Sequence, residues 1–386
     1  MGRLAYFLMV GAAWATTFSL EAADTSEVTD LCARIVAHYG DVVHATYSDA
    51  LVGAGELEQS LRRFVENPTE DTLAAAKVAW IAARPPYLQS EAFRFYAGPI
   101  DDADGPEPMI NGWPMDEFII DYVDGAPESG IINQPKTYPI ISKEVIAASN
   151  EKAGETAITS GYHAIEFLLW GQDFSDEGPG ARPVSDYLSH PSAARRGAYL
   201  LACGDLLTDH LSALVDEWAP GKTGNFREEF GRRDLVAAVR SLLYGLHALS
   251  GTELGGDRLL VAWDTQDQEE EHSCFSDTTN QDIRFDVRGI ANVYEGRYVQ
   301  LSGELLEGPG IRDLVAVLEP DGIGEWNANL EGILEAVERI PAPFDQAILG
   351  DDEAPGRRAI LETVELLEAI SQRFARLDQI LIASQR

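Results

Sequence analysis

The chain has 386 residues, and 45% of them are apolar, so it is long enough for two or three domains and can bury a large core. Its 64 acidic and 29 basic residues leave a formal charge of −35. A surface of that sign repels nucleic-acid phosphate and anionic membranes and attracts cations, which excludes nucleic acid as an expected partner.

Residues 1–22 read as a secretory signal peptide. Met1-Gly2-Arg3 is a short positive start, Leu4 to Leu20 is apolar apart from hydroxyls, and Leu20-Glu21-Ala22 offers a cleavage site after Ala22. A retained N-terminal anchor is the alternative. Cleavage would remove Arg3 and Glu21 together, so the mature charge stays at −35. Cys32, Cys203 and Cys274 lie far apart and match no zinc spacing; in an exported protein three cysteines leave at least one thiol free.

Helix signals dominate thereafter. One block covers Val28 to Phe64. A second starts at the Pro68-Thr69-Glu70-Asp71 cap and runs to Arg94, interrupted by Pro85-Pro86. Residues 98–140 are rich in Gly and Pro, and a loop of that length in a compact domain is expected to be functional or lid-like. Helix returns over Ser142 to Asn150 and Glu155 to Trp170, with Gly171 as its C-terminal cap. Further helices are expected over Pro191 to Trp218 and Asn225 to Ser250, then, after a second irregular region, over 321–340 and 354–384. In the last, Val364, Leu366, Leu367, Ile370, Phe374, Leu377 and Ile380 have the spacing of one apolar face. The fold class is therefore all-α, built from bundles of long helices. His44 to Asp49 and His272 to Asp277 share the pattern His-x-x-aromatic-Ser-Asp, 228 residues apart, which fits a duplicated helical unit with one copy in each half.

Three clusters carry chemistry. In Ser160 to Asp173, SGYHAIEFLLWGQD, His163 and Glu166 stand three residues apart on one helix face among apolar neighbours, where an unpaired carboxylate is costly. Gly161 leaves room beside them. In the second cluster Trp80, Arg84, Tyr87 and Glu91 fall at spacings of four, three and four, and Asp101 and Asp102 offer hard oxygen ligands beyond them. The third is Glu269 to Asp277, where an acidic run leads into the second copy of the repeat. No P-loop, dinucleotide fingerprint, His-Glu-x-x-His helix or Gly-x-Ser-x-Gly elbow is present.

Gly161-Tyr162-His163-Ala164-Ile165-Glu166 fits the Gly-x-His-x-x-Glu motif of the imelysin family. Trp80 to Arg94 with Gly98-Pro99-Ile100-Asp101 resembles that family's N-terminal signature, and Glu271 to Asp277 looks like its iron-regulated protein A branch. The resemblance covers residues 28–384. It implies two helical-bundle domains related by an old duplication, with a boundary near residue 185 (23–185 and 186–386) that interleaved elements would blur, and a site between them. It also implies an exported protein of bacterial iron uptake, periplasmic or held at the outer surface, with a transport partner there. The expected ligands are His163, Glu166, Glu91 and Asp101, holding iron or, alternatively, zinc. Arg84 and Trp80 are expected as ligand contacts, and the recurring pattern adds His44, His272 and Asp277 to them. The family's name points to a metal-dependent peptidase, although no Glu general base stands beside two helix-borne His ligands. A third reading puts an organic iron carrier, a siderophore or haem, against Arg84 and Trp80.

Overall fold

The computed structural model describes residues 25–175 and 178–386. The expected signal peptide lies outside the described residues. Among those residues no helix is long and apolar enough to cross a membrane.

The first helix, α1 (Thr25–Glu66), buries Leu31, Ile35, Tyr39, Val43, Leu57 and Leu61, spaced to form one stripe. The next, α2 (Glu70–Gln89), begins at a capping box in which the Thr69 hydroxyl accepts from Thr72 N and Thr72 Oγ1 accepts from Thr69 N. Pro85 and Pro86 do not end it. The helix continues to Gln89 and then tightens into a 3₁₀ turn, Ser90–Phe93. The motif helix α3 (Gly161–Trp170) is shorter than expected, but Gly171 does cap it, with φ +75° and its N–H on Phe167 O. Helix α4 (Ala193–Trp218) follows.

The expected helix over 225–250 is broken after Arg232 and resumes as α5 (Leu235–His247). It then passes without interruption into a π-helical segment, Ala248–Leu260. In the wider turn residues five apart lie one above the other, and Glu253 receives two hydrogen bonds from Arg258, of 2.7 and 3.1 Å. The second irregular region contains α6 (Thr279–Glu295) and α7 (Ile311–Leu318), with a small antiparallel hairpin between them, β1 (Arg297–Val299) and β2 (Leu305–Glu307). Helices α8 (Ile323–Val337) and α9 (Pro355–Ala383) complete the chain. Trp326 of α8 packs between Tyr294 of α6 and Phe374 of α9.

The packing forms two groups of helices. Helices α2 and α4 lie on α1, and α3 lies on α2 and α4. Helix α9 carries α5, the π-helical segment and α8. The groups join where α1 meets α5 and α2 meets α6. Because α4 packs with the N-terminal helices, the grouping does not divide at residue 185. The two copies of the repeat adopt different structures. His44 to Asp49 lies inside α1, whereas His272 to Asp277 is a turn that ends with Asp277 at φ +56°. Asp49 accepts from Tyr298 OH and Leu301 N, a role with no counterpart in the second copy. No duplicated unit is seen in this pair.

Residues 98–140 are fastened down rather than free. Asp121, fully buried, accepts from Arg196 Nε at 2.6 Å, Arg196 Nη2 at 2.9 Å and Arg182 Nη1 at 3.0 Å. Arg195 donates to the carbonyls of Ile131, Ile132 and Tyr138. All three cysteines are buried free thiols.

Candidate functional site

The site forms where α2, α3 and α6 converge under the turn 271–278. Gly161 opens α3 at φ +90°, pressed against the Ile110 carbonyl. One turn on, His163 Nδ1 and Glu166 Oε2 are 2.9 Å apart, both side chains fully buried. Glu166 Oε1 accepts from Ser276 N at 3.0 Å and Ser276 Oγ at 2.6 Å. The motif carboxyl therefore ties α3 to the turn that carries His272.

A second buried cluster adjoins the first. Asp282 Oδ2 accepts from Arg84 Nη2 and Ser273 Oγ, each at 2.6 Å. Arg84 Nη1 donates to Asn111 Oδ1. The Arg84 guanidinium also lies over the rings of Trp80 and Tyr162, and Trp80 Nε1 donates to Tyr162 O. His272 Nδ1 is 3.1 Å from Asp282 Oδ2, outside good hydrogen-bonding direction, and its Nε2 is 3.5 Å from Asn111 Nδ2. The His272 and His163 rings are 5.1 Å apart, and Trp113 lies 5.0 Å from His163. A cleft of about 480 Å³ opens beside them. His272, Asn111 and Trp113 form its inner wall, and Arg94 and Arg258 stand along it.

Burial sets the protonation states. It pushes the Glu166 carboxyl up to about 8 against the hydrogen bonds from Ser276 and the charge of Arg84. Burial, with Arg84 and His272 beside it, drives His163 well below its ordinary value. His272 falls to about 4 through burial and Arg258, opposed by Asp282. At neutral pH both imidazoles are uncharged and Glu166 holds a proton. Oε1 already accepts twice, so a proton on Glu166 is directed from Oε2 towards His163 Nδ1. Among the described residues, the buried His163 Nε2 has no hydrogen-bond partner.

The expected ligand set is not brought together. His163 and Glu166 bond each other. Glu91 belongs to a separate ion-pair network, 2.6 Å from Arg258 and 2.7 Å from Arg94. Burial alone would raise it, but the two guanidinium groups hold it at about 2. Asp101 accepts from Phe95 N and Gly98 N and so closes the turn after Phe93. Among the described residues no three His, Cys, Asp or Glu side chains are placed to hold a metal ion. Of the expected contacts, Arg84, Trp80 and His272 stand in or beside the buried cluster. His44 is half-buried on α1 and neither lines the cleft nor bonds to the cluster. Asp277 faces Asp173, and burial with that neighbour raises its carboxyl to about 7.

Sequence reasoning missed Asn111, Trp113, Arg258 and Asp282, and placed Ser276 in the recurring pattern without a role; of these, Asp282 lies on the helix with the clearest pattern. That pattern is a usable signal. Ile283, Val287, Ile290 and Tyr294 recur at four, three and four, the stripe of α6, but the buried carboxylates Asp282 and Asp286 on that helix make it read as polar.

The imelysin family model matches residues 43–374. The chain belongs to the imelysin family. Among curated imelysin relatives, iron-regulated protein A of Synechococcus elongatus is 26% identical over 265 residues; the match covers 66% of this chain and spans 62% of that relative's length. Two solved structures share the imelysin fold. One, described as an iron-regulated protein A precursor from Parabacteroides distasonis, has a TM-score of 0.67 at 20% identity over 90% of this chain and 95% of its own. The other, an imelysin-like protein from Psychrobacter arcticum, has a TM-score of 0.61 at 14% identity over 94% and 98%.

The raised Glu166 carboxyl makes stability depend on pH. The folded state binds this proton more tightly than the unfolded chain, whose carboxyl titrates near ~4.3, so the contribution is full below that value and is lost as pH rises towards about 8. His272 acts with the opposite sign, losing stability as pH falls from ~6.5 to about 4. The interval above ~6.5 therefore isolates Glu166 from the histidines. In urea unfolding, Glu166→Gln is expected to lose about 2 kcal/mol less than the parent between pH ~6.5 and ~8. Parallel curves would mean that Glu166 is ionised throughout.

Proposed function

We propose that this imelysin-family chain is an exported component of iron acquisition. It takes up iron within a small complex that supplies most of the metal's own ligands. The observation that carries the reading is the buried, unpartnered His163 Nε2, beside the Trp113 and His272 that wall the cleft. A buried polar nitrogen without a partner is costly, and a ligand atom that meets it recovers that cost on binding. The cleft volume is in the range that accepts small molecules. The relatives' names supply the link to iron.

A bare ion fits these residues poorly. Glu166 is committed to His163 and Ser276, Asp282 to Arg84 and Ser273, and Glu91 to two arginines. The same commitments disfavour zinc-dependent peptidase chemistry, because Glu166 is neither a free base nor a free ligand at neutral pH. The test is titration of metal-stripped protein with ferrous ion and with two ferric complexes, a cationic trihydroxamate and ferric citrate, followed by Trp fluorescence. One complex is expected to bind in a 1:1 ratio. The double variant His163→Ala/Glu166→Ala, checked for helix content, is expected to lose roughly a hundredfold or more in affinity. Equal binding by the variant overturns the site. Tight ferrous binding with no binding of either complex overturns the carrier reading, and chelator-sensitive peptide cleavage after zinc addition would favour the peptidase.

A further inference from the structure

The mouth of the cleft has a charge pattern that its inner wall does not explain. Glu151 and Glu155 come from the turn before α3, Asp257 from the π-helical segment and Glu270 from the turn before His272. All four are exposed, and none has a cationic partner within ion-pair distance among the described residues. The basic groups on the lining are Arg94 and Arg258. These are offset: Arg94 pairs with Glu91 and Glu107, and Arg258 with Glu91 and Glu253, beside an Asp286 carboxyl that burial pushes well above its ordinary range. The local field is therefore negative from the rim inward. Behind it stand His272, 3% exposed and without a well-directed hydrogen bond at Nδ1, and then the unpartnered His163 Nε2.

We infer that the cleft selects its ligand by charge: it admits a cationic iron complex and rejects anionic ferric carboxylate chelates. This rests on the proposed iron reading for the identity of the metal, whereas the charge selection rests on the acidic rim together with the cleft and the buried polar atoms of His272 and His163 behind it. A cleft lined by one sign of charge, with low-dielectric walls, concentrates the opposite charge at its mouth. An anion would have to pass four unneutralised carboxylates, and the two arginines inside have no charge to spare for it.

The experiment compares three proteins: the parent, a rim variant (Glu151→Gln, Glu155→Gln, Asp257→Asn, Glu270→Gln), and a control with the same charge change on exposed positions of α8 and α9 (Glu331→Gln, Glu335→Gln, Glu365→Gln, Glu368→Gln). Each is titrated with the cationic ferric trihydroxamate, with ferric citrate and with cobalt(III) hexammine, a redox-inert trication that reports the rim without iron. The parent and the control are expected to favour the cationic complex over ferric citrate by on the order of tenfold or more, and the rim variant to lose that preference. Cobalt hexammine affinity should fall in the rim variant and hold in the control. Ferric citrate binding as tightly as the cationic complex overturns the inference while leaving the iron reading intact. Failure of both ferric complexes sinks the carrier reading, and cobalt hexammine then decides: rim-dependent binding sustains charge selection, and equal behaviour of the two variants, or no binding, overturns it.

Discussion

Asp282→Ala is expected to destabilise the protein by about 3–5 kcal/mol, the range for removing one partner of a fully buried ion pair. Neither Arg84 nor Asp282 has any exposed side-chain surface, and the carboxylate receives both the guanidinium and Ser273 Oγ. Deleting it leaves a buried positive charge with Asn111 as its remaining polar partner and the faces of Trp80 and Tyr162 around it. Water cannot reach the guanidinium, so the cost is desolvation without compensation. The pair itself is worth much less than its rupture. Arg84→Met/Asp282→Leu is therefore expected to recover most of the loss, because neither charge is then buried. Urea unfolding of both single variants and the double measures the coupling directly. A loss under about 1 kcal/mol for Asp282→Ala would mean that solvent reaches this cluster.

Gly161→Ala should cost about 3 kcal/mol or more, although it adds one methyl group at the start of a helix. Two penalties combine. The residue sits at φ +90°, outside the conformations that a side chain accepts cheaply. A Cβ there would also lie 2.5 Å from the Ile110 carbonyl oxygen and 2.7 Å from its carbon, and backbone cannot swing aside as a side-chain tip can. Ile110 immediately precedes Asn111, Gly112 and Trp113 of the cleft wall, so any relaxation displaces the site as well. Gly55→Ala is the matched control. It lies within α1, where an added methyl group would meet nothing within 4 Å, and is expected to be neutral or to stabilise by about 0.5–1 kcal/mol. Thermal or urea unfolding of the two variants separates these outcomes. A Gly161→Ala protein as stable as the parent would mean that the loop 107–113 adapts freely.

The motif glycine is visible in the sequence as room beside His163, but its actual neighbour is not. Nothing in the spacing of Ile110 and Gly161 says that a carbonyl from a long loop will press on the first residue of α3. The same holds for Glu166. Its place on the face of His163 follows from a three-residue spacing, whereas its hydrogen bonds to Ser276 come from 110 residues away. The face shared by Trp80, Arg84 and Glu91 is helical as its spacing predicts, yet its members serve two different networks. Arg84 turns to Asp282, and Glu91 turns to Arg258 on the π-helical segment. Helix α6 is hidden in the sequence because its carboxylates are neutralised by arginines on other elements, a compensation that hydropathy along one segment cannot register.

By itself, the sequence determined the all-helical class, the main long helices, the Gly171 cap, the placing of His163 and Glu166 on one helix face and the net acidic character. These are consequences of periodicity, capping chemistry and summed charge, which act over a few residues or over the whole composition. The tertiary structure alone decided which buried groups meet. It paired Asp282 with Arg84 and Glu91 with Arg258, left His163 Nε2 without a partner, and set Trp113 and His272 along a cleft with an acidic mouth. The reason is physical: a buried polar group is stable only with a partner, and that partner is chosen by packing between elements far apart in the chain, not by neighbours along it.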